Sequence, residues 1–318
     1  LIIVTTFSMV LFMQVTFERM MQGTGLTVHT MITQMTGAVT NIILDPFFIF
    51  GIGPFPRMGV AGAAVATVIG QHVGGILGIY LNHRYNKDIQ VSLRQVFRPS
   101  LTTIRRIYYV AVPSMIMGSI GSVMYYGMNR ILASFDYAAT AVFGVYFKLQ
   151  SFFFMPVFGM NNAIVPIIAY NYGAQKRSRM LECLRTGIFF ALAIMGLGTL
   201  VFETLPGFLL GLFNADEKML SIGIPALRII GIHFPVAAVC IVLGSTFQAL
   251  GKATYSAVVS VARQLVVLLP AAFVLSRIGG LNLIWWAFPM AEVMSLIMTS
   301  FFIRRINRTI ISKVEDRF

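Results

Sequence analysis

Eight long apolar runs follow one another along the chain and leave few folds open to it. Each run has the ~20 mainly apolar residues that a helix needs to cross a bilayer. The runs are apolar on all sides, unlike helices of a soluble core, and they lack the ~10-residue alternating segments of a membrane β-barrel. The predicted spans are Leu26–Gly51, Met58–Leu81, Ile107–Asn129, Tyr137–Tyr170, Thr186–Asn214, Leu220–Gly251, Ala253–Ser276 and Ile278–Ile303. The sequence therefore predicts an all-α polytopic membrane protein.

A shorter apolar stretch, Leu1 to Phe17, precedes the first full run. It has neither the charged leading segment nor the small-residue cleavage site of a signal peptide, so we expect it to be part of a helix. We interpret the chain as an N-terminally incomplete piece of a longer protein, with eight full spans plus a partial one.

The distribution of charge argues against a nucleic-acid binder, although the formal net charge of the chain is +13. Only 11% of the residues are charged, and the cations concentrate in alternate connections, as in the positive-inside pattern. This pattern predicts a cytoplasmic C-terminus in a cell (plasma or inner) membrane. The cations of the cytoplasmic side are Arg19, Arg84, Lys87, Arg94, Arg98, Arg105, Arg106, Lys176, Arg177, Arg179, Arg185, Lys252, Arg304, Arg305, Arg308, Lys313 and Arg317.

An internal repeat divides the chain into two lobes. Gln22-Gly-Thr-Gly25 matches Gln248-Ala-Leu-Gly251 at an offset of 226 residues, and the same offset places Gly53 on Gly279. Repeats of this kind are typical of secondary transporters, whose substrate and ion sites lie near the midplane. We therefore predict residues 1–81 as the second half of an N-terminal lobe and 82–106 as a cytoplasmic inter-lobe loop. Residues 107–303 would form a six-helix C-terminal lobe and 304–318 a basic cytoplasmic tail.

Asp45 is the only charged residue between Leu26 and Gly51. A carboxylate at membrane depth costs ~2.5–3.5 kcal/mol on insertion scales, so such residues usually have a function. Asn41 and Gln34 share its helical face, and Pro46 leaves the carbonyl of Ile42 without its helical donor. These hard oxygen ligands suit Na⁺ or a protonation switch. The alternative is an Asp at a helix end, neutralised by water near the outer surface.

Several stretches resemble the multidrug and toxic compound extrusion (MATE) family of cation-coupled efflux transporters. They are Arg19-Met-Met-Gln-Gly-Thr-Gly25, Asn41-Ile-Ile-Leu-Asp45-Pro46, Gly59-Val-Ala-Gly-Ala-Ala-Val-Ala-Thr67, Val112-Pro113-Ser114 and Asn171-Tyr-Gly-Ala174. The resemblance implies a two-lobe helix bundle whose first lobe is incomplete in this chain. It also implies that Asn41 and Asp45 are the cation-coupling pair, with Thr67 as a hydroxyl ligand from the next helix.

The candidates for a substrate cavity are more scattered. Lys148 lies in an aromatic helix that includes Phe152, and it is either a cavity cation or a lysine that snorkels to the interface. Flexible methionines such as Met117 and Met124 suit promiscuous apolar binding, although packing is the more common role. Arg263 is a further candidate and could pair with Glu292, but most buried polar residues of this kind bind helices together. Gln34 completes the set.

The combined prediction is a multidrug efflux antiporter that exchanges amphipathic or cationic organic compounds for Na⁺ or H⁺. It would need no cofactor and no catalytic residue, and its partners would be small organic molecules and the lipid bilayer, with no nucleic acid and no obligate protein partner. A lipid-linked oligosaccharide flippase of the same superfamily is an alternative. An intramembrane enzyme is more remote, since the sequence has no HExxH, GxSxG or Walker motif.

Overall fold

The structure is a computed structural model that describes residues 2–89 and 100–314. Within these ranges all regular secondary structure is helical. The chain divides at Ser100 into two compact units. We call the described residues before Ser100 unit 1 and those from Ser100 onward unit 2. Arg94, Arg98 and Arg317, which contribute to the predicted charge pattern, lie outside the described residues.

Unit 1 contains four helices, and its packing depends on glycine. The helices are α1 (Ile2–Thr6), α2 (Ser8–Gly23), α3 (Thr27–Phe50) and α4 (Val60–Tyr85). A Cβ atom on Gly70 of α4 would lie only 2.6 Å from the carbonyl oxygen of Gly37 on α3. The two backbones therefore approach each other without an intervening layer of side chains, as small residues permit in membrane helices.

Unit 2 contains the remaining helices. They are α5 (Leu101–Ala133), α6 (Tyr137–Gly173), α7 (Arg177–Thr204), α8 (Pro206–Gly211), α9 (Glu217–Gly231), α10 (Phe234–Ala249), α11 (Ala253–Val261), a π-helix (Ala262–Leu268), α12 (Leu269–Ile284), α13 (Ala287–Thr309) and a 3₁₀-helix (Ile311–Lys313). Asp136 caps α6 by accepting a hydrogen bond from the backbone N–H of Ala138 at 2.9 Å. An ion pair with Lys218 and this backbone bond hold the pKa of Asp136 below its usual value.

The helices follow the predicted apolar runs, but their ends differ. In the described residues six helical segments are long and apolar enough to cross a membrane, and α9 with α10 is a seventh if this pair, bent by 47°, is counted as one span. Helix α3 is 24 residues long but is not among the six, because threonines and the polar residues of its candidate site lower its hydropathy. Helix α5 begins at Leu101 and α4 continues to Tyr85, so part of the predicted loop 82–106 is helical. The first six residues of the predicted tail are also helical, because α13 continues to Thr309.

The two turns that carry the sequence repeat have the same backbone geometry. The N–H of Leu26 donates to the carbonyl of Met21 at 2.8 Å, and the N–H of Lys252 donates to that of Phe247 at 2.7 Å. Gly25 and Gly251 both have positive φ, at 82° and 71°, which closes a helix in the manner of a Schellman motif. The predicted match of Gly53 with Gly279 is shifted by one residue in the structure. Gly280 is the residue that shares the positive φ of Gly53. The intervening π-helix is consistent with one inserted residue in this repeat.

Candidate ion-coupling site and cavity

Asn41, Asp45 and Thr67 contact one another in unit 1. The amide nitrogen Nδ2 of Asn41 donates to Oδ1 of Asp45 at 3.3 Å and to Oγ1 of Thr67 at 3.4 Å. Thr67 donates its own proton to the carbonyl of Ala63 at 2.8 Å. Both hydrogen bonds that Asn41 donates are long for N–H···O bonds. These contacts leave Oδ2 of Asp45, Oδ1 of Asn41 and the second lone pair of Thr67 Oγ1 available to a further ligand.

The glycine contact between α3 and α4 determines this geometry. A Cβ atom on Gly70 would lie 3.2 Å from Cβ of Asn41, so only glycine allows α4 to pass so close to the candidate site. Thr67 precedes Gly70 by one helical turn and therefore faces the same part of α3. The close approach brings a hydroxyl from α4 to an amide and a carboxylate on α3.

The chemistry of this site suits a small hard cation or a proton. Its donor atoms are carboxylate, amide and hydroxyl oxygens, the ligands that hard cations prefer. The described residues contain no group of three or more His, Cys, Asp or Glu side chains that could share a metal ion. The site therefore has one ionisable group, Asp45, and its net charge changes when this carboxylate binds a proton or a monovalent cation.

Gln34, which the sequence predicts for the same helical face, has a different partner. Its Nε2 donates to Oε2 of Glu18 on α2 at 2.9 Å. The other carboxylate oxygen of Glu18 accepts from Gln14 at 2.9 Å and from Thr33 at 3.3 Å. Glu18 is only 5% exposed. The sequence-based prediction does not include this buried carboxylate, although two polar residues four apart in an apolar stretch, Gln14 and Glu18, indicate a buried polar face.

Unit 2 contains a cavity of about 770 Å³ that includes three of the predicted substrate residues. Met117 and Met124 of α5 and Arg263 of the π-helix line it. Nη1 of Arg263 donates to Oε2 of Glu292 at 3.0 Å, so the two residues that the sequence suggested as a pair are in contact. Both are cavity-lining residues.

Lys148 and Phe152 lie outside this cavity. Lys148 is exposed in a separate recess of about 440 Å³, with its Nζ atom 5.7 Å from the ring centroid of Phe213. Phe152 is 74% exposed and lines neither space. The reason is helical phase, because residues 147, 151, 154, 155 and 158 of α6 line the cavity and positions 148 and 152 lie on the adjacent stripe.

Comparisons with known proteins agree with this architecture. The MatE family model matches residues 113–274. Multidrug export protein MepA of Staphylococcus haemolyticus is 25% identical over 297 residues, covering 93% of this chain and 64% of the relative. An FAD transporter of Shewanella oneidensis is 27% identical over 289 residues, which cover 90% of this chain and 63% of the relative. The chain thus spans just under two thirds of the length of these curated relatives.

Solved structures show the same fold. A crystal structure of MATE in complex with MaL6 has a TM-score of 0.86 and 21% identity, and it covers 98% of this chain and 69% of that one. A mutant of the Vibrio cholerae MATE transporter VcmN has a TM-score of 0.80 and 21% identity, and the match covers 94% of this chain and 67% of that one. The named relatives are transporters and not enzymes, which removes the intramembrane enzyme from consideration. With a family model that matches more than half of its residues, this multi-pass helical membrane protein belongs to the MATE family.

Proposed function

We propose that the intact protein is a multidrug efflux antiporter of the cell membrane, which exports amphipathic organic compounds in exchange for Na⁺ or H⁺. The contact of Asn41 with both Asp45 and Thr67 is the observation that carries the coupling role. The names of the curated relatives, a multidrug export protein and an FAD transporter, support export of bulky organic molecules.

Asp45 would carry the exchange because its charge is only partly compensated. It is half-buried on a membrane helix, where a carboxylate is costly, and a single long hydrogen bond from Asn41 reaches Oδ1. Proton or Na⁺ binding would neutralise it, while Asn41 and Thr67 hold the carboxylate in position. The coupling ion is cargo in this scheme, bound from one side of the membrane and released to the other.

The test replaces Asp45 with Asn in the intact protein, reconstituted in liposomes with an imposed Na⁺ or pH gradient. Removing the ionisable group should reduce gradient-driven efflux of a fluorescent dye on the order of tenfold or more, since site couplings of this kind are usually 5–150-fold. Binding of the same dye to the detergent-solubilised variant should persist. Asn41→Ala and Thr67→Ala should give smaller losses.

Asp88→Asn is the matched control, because Asp88 is an exposed carboxylate of the same unit. This variant should transport like the parent protein. Gradient-driven efflux that is unchanged in Asp45→Asn, at equal membrane levels, would contradict the proposed coupling role.

A further inference from the structure

In the cavity of unit 2 the guanidinium of Arg263 is accessible, whereas the carboxylate of Glu292 that binds it is buried. The side chain of Arg263 is 27% exposed, whereas that of Glu292 is 3% exposed. Glu292 binds Arg263 through Oε2, and its Oε1 atom is buried with no hydrogen-bond partner in the described part of the chain. A molecule that enters the cavity therefore meets guanidinium N–H groups before it can reach the carboxylate.

The π-helix presents this guanidinium together with an amide. Arg263 and Gln264 are consecutive in the segment Ala262–Leu268, and both line the cavity. π-Helical turns widen a helix locally and are common at functional sites. Gln264 is 8% exposed, so its amide stands in the cavity wall next to the more accessible arginine.

Aromatic rings form another part of the cavity wall. Tyr146, Phe147, Phe154 and Phe288 line the cavity, and the rings of Tyr146 and Phe288 are 5.6 Å apart between centroids. Phe147 and Phe154 are partly exposed, and such rings bind planar aromatic molecules by offset or edge contacts. A planar fork of donors, as in Arg263, suits the two oxygens of a carboxylate or phosphate.

We propose that this cavity binds aromatic compounds that carry an acidic oxyanion group, with the oxyanion on Arg263 and the ring system on the aromatic wall. Glu292 acts as the positioning residue that holds the guanidinium and moderates its charge. The inference rests on the proposed export function and specifies a substrate class for it. It also differs from the sequence-based expectation of cationic substrates, because a cation would have to displace Arg263 to reach Glu292.

The test compares two flavins that share one ring system and differ by a phosphate, riboflavin 5′-phosphate and riboflavin. Equilibrium binding is measured by fluorescence anisotropy on the purified full chain in detergent, without any gradient. Arg263→Gln should weaken binding of the phosphate form by about tenfold or more, the loss of one charge-assisted hydrogen bond, and should spare riboflavin. Glu292→Gln should tighten binding of the phosphate form, because it leaves the guanidinium uncompensated.

The double variant R263Q/E292Q guards against misfolding, since either single change leaves a buried charge without its partner. It should bind both flavins with equal affinity. Arg277→Gln is the matched control, because Arg277 lies in the next helical segment, over the ring of Phe273, and outside the cavity. This variant should preserve the preference for the phosphate form.

Three results with the flavins would overturn the proposal. They are equal binding of the two flavins by the parent protein, an equal effect of Arg263→Gln on both, and weaker phosphate binding in Glu292→Gln. The pattern expected for a cation site, with ethidium binding lost in Glu292→Gln and strengthened in Arg263→Gln, would also overturn it. Because binding is measured without a gradient, these results are independent of whether Asp45 couples transport to an ion.

Discussion

Glu18 and Asp45 lie on neighbouring helices of unit 1, and their surroundings give them different roles. Glu18 is buried and accepts hydrogen bonds from Gln14, Thr33 and Gln34. Asp45 is half-buried and has one long bond from Asn41. A carboxylate with donors on both oxygens is held in place by its neighbours, whereas one with spare lone pairs can bind and release a further ligand. Glu18 is therefore the structural acid of this unit and Asp45 the exchangeable one.

Glu18→Gln should destabilise the protein while leaving coupling intact. The substitution keeps the size of the side chain but turns one acceptor into a donor that faces Gln14 or Gln34. We expect a loss of about 1–3 kcal/mol, the usual effect of leaving a buried polar group unsatisfied. Thermal unfolding in detergent, followed by intrinsic fluorescence, measures this loss, with exposed Glu182→Gln as the control. Equal unfolding temperatures in the two variants would show that Glu18 is not a structural acid.

The sequence predicts local relationships between site residues better than tertiary ones. Asn41 and Asp45 are four residues apart on one helix, so their contact follows from helical periodicity. In the sequence, only the family resemblance associates Thr67 with these two residues. Two partners of Glu18, Thr33 and Gln34, lie on α3, and which part of α3 packs on α2 depends on helix packing that hydropathy does not encode. The sequence suggests that Arg263 and Glu292 could pair as buried polar residues of adjacent helices, and the two side chains are in contact at 3.0 Å.

At the scale of elements, the glycines of α4 determine how unit 1 is assembled. Gly70 approaches Gly37, and Gly74 lies where a Cβ would be 2.8 Å from the side-chain nitrogen of Gln14. One face of α4 thus contacts α3 and α2 through successive small residues. The spacing Gly70, Gly74, Gly78 is a small-xxx-small pattern visible in the sequence.

Gly70→Ala should separate α3 from α4 and disturb the candidate ion site. The new methyl group would meet the carbonyl of Gly37 and Cβ of Asn41, both parts of the backbone or close to it, so neither can move easily. We expect a loss of about 1–3 kcal/mol in stability, typical of overpacking, and a loss of gradient-driven transport. Thermal unfolding and liposome efflux measure the two effects.

Gly78→Ala is the control on the same helix. A Cβ at that position would lie 3.7 Å from Cγ2 of Thr33, which is an ordinary contact. Alanine should therefore be tolerated or stabilising by up to about 1 kcal/mol, because it favours the helix over glycine. If the two alanine variants behave alike, the close approach at Gly70 does not position the site.

Hydropathy predicts the existence of the helices here, but not their ends or irregularities. Helices α4, α5 and α13 extend past the apolar runs because charged residues continue a helix outside the hydrocarbon region as readily as apolar ones. The π-helix at Ala262–Leu268 and the 47° bend between α9 and α10 lie inside apolar runs. An apolar composition does not distinguish these irregular turns from regular ones.

For the molecule as a whole, the two copies of the repeat share backbone geometry at their turns but differ in the charged side chains at matching positions. Thr30 donates to the carbonyl of Glu18 at 3.3 Å, and its counterpart at an offset of 226, Ser256, donates to that of Gly244 at 2.7 Å. The backbone contact is kept, while the carboxylate of Glu18 has no equivalent on Gly244. In the same way Asp45 falls on Ala271 at this offset, or on Ala272 with the one-residue shift after the π-helix, and neither position carries a charge. Each unit therefore has its own set of charged residues, and we expect ion coupling and substrate recognition to be separable by mutation.

The charge pattern predicts the orientation of the whole chain. In a background without Cys183 and Cys240, a cysteine at exposed Ser312 should react with a membrane-impermeant maleimide only after cells are permeabilised. A cysteine at exposed Ser134, in the turn between α5 and α6, should react in intact cells. The reverse labelling would place the C-terminus outside and contradict the positive-inside assignment.

The meeting of Gly37 with Gly70 has a mechanical consequence for unit 1. Because no side-chain layer separates the two backbones, we expect α3 and α4 to move together as one rigid pair. Asn41, Asp45 and Thr67 lie on this helix pair, so releasing the ion by pulling their side chains apart would disrupt a close backbone contact between α3 and α4. We therefore expect ion release to depend on access to the site, through water or another polar group that reaches it from outside the helix pair. Deformation of the site itself would not be the controlled step.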